Sequence, residues 1–207
     1  MKDGDTVYVY KRQLAGKPII YIFPVQPNKL ENSTGWECVT WNVRTHRDRT
    51  MTEKSTGLTV SYLYWEAVTE GLPPSPPYSP RSEPIFSYLS DNDNISVVLP
   101  LSRVTPYLDA ALKELGLHTE ARTSFITYWL PSFNKHTHVA LHFVSQHMYE
   151  RAAPLHVVPK PDAVTRVFML FNGVPESDFE MGLWDNATAR VVDGVGGWRD
   201  VVGLDVT

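Results

Sequence analysis

The stretch HTHVALHFVSQH, His136 to His147, holds four of the chain's seven histidines. Imidazoles at this density raise one chemistry first, the binding of a transition metal such as zinc. As a strand, the segment places His136 and His138 ~7 Å apart on one face, together with His142. As a helix it pairs His138 with His142 and drops His136. A zinc ion needs about three or four ligands. The spacing therefore offers a pair, His136 and His138, with Glu150, His147 or His156 as the remaining candidates. The alternation of Val139, Leu141 and Phe143 favours the strand, with those three inward and the histidines on a solvated face.

A second cluster joins aromatic rings to a carboxylate. Read as one strand, Leu58 to Ala67 puts Leu63 and Trp65 on one face and Tyr62, Tyr64 and Glu66 on the other. Tyrosine rings stack on flat apolar faces while their hydroxyls hydrogen-bond, which suits a sugar or a peptide. The plainer reading is a tyrosine face covered by core. Glu66 has no second carboxylate at catalytic spacing. Nucleophile motifs are absent: there is no G-x-S-x-G and no P-loop. Cys38, the single cysteine, alternates onto the polar side of its strand.

Six prolines fall between Gly71 and Pro84, in GLPPSPPYSPRSEP. That density excludes helix and central strand and favours polyproline II. Pro77 and Pro80 form a P-x-x-P step with Arg81 as its charged neighbour, a pattern that docks into aromatic-lined grooves. A simple spacer is the plainer reading. Ser75 and Ser79, each before a proline, are phosphorylation candidates.

The elements that must position these groups follow from the periodicity. Thr6–Tyr10, Lys17–Pro24, Trp36–Arg44 and Leu58–Ala67 read as strands. Thr105-Pro106 predicts a helix start, and Gly116 its left-handed end. A second helix is expected from near Thr119, with stripe Ala121, Phe125, Ile126 and Trp129 and its end before Pro131. A strand over Val139–Val144, a helical turn near His147–Ala153 and a deeply buried strand over Ala163–Phe171 follow. The expected fold is thus α+β, a mixed or antiparallel sheet covered by a helix hairpin, with a long Pro-rich loop. It is read as a single domain over 1–207, with 71–84 as the loop and 176–207 a tail of unassigned structure.

Composition narrows the function classes. A formal charge of −4 and a pI near 6.0 argue against nucleic acid as the partner. The densest basic run, Arg44 to Arg49, is interrupted by Asp48 and reads as a solvated loop. A lone cysteine, no apolar leader and no 18-residue apolar run predict a cytoplasmic protein without membrane contact. The N-x-S/T sequons at Asn32, Asn94 and Asn186 then carry no weight.

Four stretches, KPIIYIFP, VSYLYWEA, ALKELGLHTEARTSFITYWLPSF and APLHVVPKPDAVTRVFMLF, resemble in order and spacing an uncharacterised family of mushroom-forming fungi, with relatives in bacterial surface proteins. The resemblance covers most of the chain, and the segment ending in YWLP is its most specific part. No activity is established for the family. Its fungal members often carry a ubiquitin-like region before this module, and MKDGDTVYVY resembles the closing strand of such a unit, so 1–16 reads as a remnant of it. Between IYIFP and WNVRT the family carries a longer strand-rich insert, which implies a shortened chain and an exposed sheet edge here. The resulting expectation is a non-enzymatic binding module without cofactor, its partner a protein held through the Pro-rich loop. The alternatives are a metal-dependent enzyme using His136 and His138, or a carbohydrate-binding surface at Tyr62, Tyr64 and Glu66.

Overall fold

Apolar alternation in the first third and helical stripes in the middle of the chain produce two different kinds of unit. The computed structural model describes residues 5–10, 19–21, 38–64, 89, 94–152 and 155–204. Their contacts divide the chain into Met1–Ser82 with Glu150–Val164, and Glu83–Tyr149 with Thr165–Thr207. All strand pairings are antiparallel among the described residues, and the architecture is α+β.

The first unit is made of strands. β1 (Asp5–Tyr10), β3 (Cys38–Thr45), β4 (Met51–Glu53), β5 (Thr59–Val60) and β9 (Leu155–Val158) form a sheet in the order β5-β4-β3-β1-β9. β2 (Ile19–Ile20) pairs with β6 (Leu63–Tyr64). Val43, Met51 and Leu63 are its buried centre, with Trp41, Val60, Leu155 and Val157 packed around them. The expected continuous strand over Leu58–Ala67 is broken. β5 joins β4 and β6 joins β2, with a bend at Ser61–Tyr62 between them. The two halves belong to two different sheets, and the chain bends between them.

Hydroxyl-rich turns close the β3–β4 and β4–β5 hairpins. Asp48 Oδ1 accepts bonds from the Thr50 hydroxyl (2.7 Å) and the Thr50 backbone N–H (3.0 Å). These two bonds, hydroxyl first, lower the Asp48 carboxyl below its ordinary value. Arg44, Arg47 and Arg49 are exposed around this turn, and Arg49 adopts φ +71.

The second unit is layered. β7 (Val97–Pro100), β8 (His138–Phe143) and β10 (Met169–Val174) form a sheet in the order β10-β8-β7. On one face lie α1 (Leu101–Glu114), α2 (Thr119–Phe133) and α6 (Trp198–Val202), around a core that includes Leu99, Leu108, Leu112, Phe133, Val139, Leu141 and Phe143. On the other face Val98, Ala140 and Val174 pack with Ala187, Phe179 and Trp184. Phe179 lies on α4 (Glu176–Glu180), Ala187 on α5 (Asp185–Ala189) and Trp184 in the turn between them. The tail from 176 is therefore helical, ending in a 3-10 turn (Arg190–Asp193) and α6.

Both helices of the hairpin depart from their sequence boundaries for the same reason. α1 starts at Leu101, so Pro106 lies inside it on the exposed side. Beginning at Thr105 would leave Val104 outside the buried stripe Val104, Leu108, Ala111 and Leu112. Burying Val104 and fixing the turn below Leu108 contributes about 1.5–3 kcal/mol per side chain. That offsets the cost of about 3 kcal/mol for an interior proline. α2 likewise passes through Pro131 to bring Phe133 into the core. α1 ends as expected: Gly116 takes φ +83, its N–H bonds Lys113 O, and Leu117 N–H bonds Leu112 O. Arg122 fastens the hairpin through Asp109 (2.7 Å) and Leu117 O (2.9 Å).

The strand expected over Ala163–Phe171 is shifted to Met169–Val174, and β8 is more deeply buried than it. Residues 163–165 are exposed and carry no strand. α3 (Gln146–Ala152) and the segment before β10 meet where Gln146 Oε1 accepts Arg166 N–H (2.6 Å) and the Arg166 guanidinium lies 4.2 Å over the Tyr149 ring.

Glu53 gives the first unit a measurable acid response. Its carboxylate accepts bonds from the Ser55 hydroxyl (2.6 Å) and N–H (3.0 Å) and from the Thr56 hydroxyl (2.8 Å) and N–H (2.8 Å). These bonds, the Ser55 hydroxyl foremost, hold the carboxyl down to about 2, from an ordinary 4.5. The folded value is depressed, so the turn's contribution is complete above the ordinary value and is lost as pH falls toward the folded one. A side-chain NMR titration should place the Glu53 midpoint near 2. An ordinary carboxyl midpoint would show that the four-bond turn does not form.

Candidate functional site

β8 carries the histidines, and its neighbours decide what each can do. The strand begins at His138, so His136 precedes it and does not follow its alternation. Gly173 on β10 pairs with Val139, and a side chain there would stand on Val139's face of the sheet. The His136 ring occupies that spot, so closely that a Cβ on Gly173 would collide with it. His138 pairs with Val174, on the opposite face, and its ring stacks on Phe179 with centroids 3.9 Å apart and planes 12° from parallel. His136 and His138 thus flank the sheet from opposite sides. They do not share the face expected of them and do not converge on one ion. Among the described residues no group of three or more His, Cys, Asp or Glu is placed to hold a metal.

The expected solvated face is also corrected. Ala140 and His142 are as buried as Val139, Leu141 and Phe143, and Ala140 packs with residues of the helices after β10. His142 Nδ1 lies 3.1 Å from the Ser96 hydroxyl, and Ser96 O accepts a bond from Arg190 Nε at 2.7 Å. A hydroxyl beside an imidazole is the arrangement of an activated nucleophile. Here both residues are fully buried. The contact pairs two polar groups in a layer where an unpaired one costs about 1–3 kcal/mol.

A polar corner with access to solvent lies at the start of β8. Glu176 Oε2, on the first residue of α4, accepts a bond from the Thr137 hydroxyl (2.8 Å) and stands 3.4 Å from His138 Nδ1. Glu176 is half exposed, and only 13% of the His138 side chain is. His138 Nδ1 itself is buried and makes no hydrogen bond. Glu176, Gly173 and Ser96 were not legible as site residues. Each sits more than 30 positions from its histidine, and no local spacing announces the pairing.

The tyrosine cluster is partly resolved. Tyr62 sits at the bend between β5 and β6, half-buried, with its ring tilted against Tyr21 at 5.5 Å. Tyr64 lies on β6 opposite Ile19. Glu66 lies outside the described residues, as do Pro77, Pro80 and Arg81. Tyr107, elsewhere, accepts the Trp198 indole N–H (2.9 Å), and burial pushes its phenol upward. That bond fastens α6 to α1, with Trp198 also edge-on to Phe143 at 4.9 Å.

Comparison with protein-family models, with curated proteins and with solved structures finds no match for this chain.

The contact of His136 with Gly173 can be measured. Gly173→Ala should displace the imidazole and destabilise the protein by roughly 1–3 kcal/mol, the usual range for overpacking. Adding His136→Ala should recover most of that loss in denaturant unfolding. Simple additivity of the two substitutions would show that the ring does not sit on Gly173.

Proposed function

We propose that the chain is a non-enzymatic module of the cytoplasm that binds another protein through apolar side chains displayed by its C-terminal helices. The observation that carries this reading is the exposure of Met181 (65%) and Leu183 (54%) at the turn after α4, with Val192 (87%) exposed in the following 3-10 turn. Large apolar side chains gathered on a surface mark interaction sites, and methionine adapts readily to a partner's shape. Their display is fixed by the backbone. Gly182 takes φ +71, its N–H bonds Phe179 O and Leu183 N–H bonds Asp178 O, closing α4 so that Met181 and Leu183 stand outward on either side of the turn.

Other features support the same reading. The described histidines of β8 are engaged in packing, and no helix among the described residues is long and apolar enough to cross a membrane. The chain's acidic balance disfavours a nucleic acid, and its single cysteine suits a reducing compartment. The Pro77-x-x-Pro80 step with Arg81 supplies a second contact for the same partner. The resemblance to the fungal family, which has no established activity, belongs to this proposal and adds no chemistry to it.

Quantitative binding tests it. A partner identified by proximity labelling of the full chain should lose affinity about tenfold or more with Met181→Asp/Leu183→Asp. Pro77→Ala/Pro80→Ala should weaken it independently. Unchanged affinity in the apolar variant, with circular dichroism unaltered, would overturn the proposal.

A further inference from the structure

The sheet β10-β8-β7 has two edges, and its hydrogen bonds show which backbone groups face out of each. Val144 N–H bonds Phe168 O, so Phe168, Leu170, Asn172 and Val174 are the residues bonded to the β8 side. Met169, Phe171 and Gly173 therefore turn their N–H and C=O groups outward. On the other side of β8, Leu101 N–H bonds Thr137 O, so Ser96, Val98 and Pro100 face outward at the β7 edge. That edge is closed. Pro100 has no N–H to offer, Arg190 Nε takes Ser96 O at 2.7 Å, and Ala187 of α5 packs with Val98. The β10 edge has no such device. From Met169 to Val174 it carries no charge, no proline and no break in register, and among the described residues nothing bonds its outward groups.

We propose that β10 pairs antiparallel with β10 of a second copy of this chain, joining the two sheets across a two-fold axis at Phe171. Bonds form only where outward residues meet outward residues, which limits the register. Centred on Phe171, the pairing sets Met169 opposite Gly173 of the second copy and makes roughly six backbone bonds. The charges at the ends of the strand favour this sense. Arg166 precedes β10 and Glu176 follows it, so antiparallel copies bring unlike charges to each end and parallel copies bring like ones.

Apolar surface continues from this edge onto α2. Phe171 meets Phe133 edge-on at 4.8 Å and Trp129 at 5.3 Å, and Trp129 meets Tyr128, which is 43% exposed, at 4.9 Å. On the other face of β10, Leu170 is half-buried and Asn172 exposed. A strand pair alone is marginal in water, and these side chains add the apolar area it needs. With the β7 edge closed, this sheet keeps one open edge per copy among the described residues, so the pairing stops at a dimer and does not propagate. A foreign extended segment is the other occupant such an edge admits. The opposite charges at the two ends of β10 and the single open edge favour the second copy. The surface uses neither Met181 nor Leu183, so it goes beyond the binding reading and stands without it.

Sedimentation equilibrium and residue-resolved amide exchange of the full chain test it. A species of twice 23.5 kDa should grow between about 5 μM and about 500 μM. Over the same range the Met169, Phe171 and Gly173 amides should gain about tenfold or more in protection, while Leu170 and Asn172, already bonded to β8, change little. Asn172→Lys, at an exposed position, should weaken the dimer about tenfold with circular dichroism unaltered. Adding Leu170→Glu places opposite charges across the axis and should restore most of that loss. A dimer whose outward amides stay unprotected, or one indifferent to Asn172→Lys, overturns the proposal. So does a monomer at every concentration: protected edge amides would then assign the edge to another segment of this chain, and open ones would leave it to a foreign strand.

Discussion

Burial of β8 on both faces is the constraint from which the rest of the second unit follows. A strand with one wet face needs one layer of cover. His138–Phe143 needs two, and the chain supplies them from distant segments. The helix hairpin α1–α2 covers Val139, Leu141 and Phe143. Residues of α4 and α5 pack with Ala140 from the other side, and α6 then returns to the first face beside Phe143. Between Ala187 and Trp198 the chain must therefore cross from one side of the sheet to the other. Gly194, at φ +80, with Gly196 and Gly197 after it, makes the sharp backbone path available.

Each buried polar group in this arrangement has a consequence elsewhere. His142 requires Ser96, and Ser96 O is taken up by Arg190 from the C-terminal layer. His136, displaced from the strand, needs a residue without a side chain beneath it, which is Gly173. His138 sits at the margin, stacked on Phe179 and close to Glu176, where water reaches the carboxylate. The same strand thus holds one histidine fully enclosed and one at a boundary.

Much of this was legible in particular residues. Val139, Leu141 and Phe143 announced a strand, and Ala121, Ile126 and Glu120 announced α2 and its first turn. The α+β class followed from the change of period along the chain. The second buried face of β8 was not legible, because Ala140 and His142 are not conspicuously apolar. The helices that pack on Ala140 have five residues each, too short to show a stripe. Pro106 and Pro131 misplaced helix boundaries because tertiary burial of Val104 and Phe133 outweighs local preference. The tyrosine strand failed for a different reason: its two halves pair with different partners, a non-local fact that alternation cannot carry.

The most direct test of the buried far face is the chemical reactivity of its histidine. Brief carbethoxylation of the native full-length protein, located by peptide mass spectrometry, compares His142 with His147, which is exposed at the start of α3. The two-sided burial of β8 predicts that His147 is modified while His142 stays unmodified until the protein is unfolded. Modification of His142 at the rate of His147 would mean that the far face of β8 is open to solvent at His142, and its two-sided burial would be wrong.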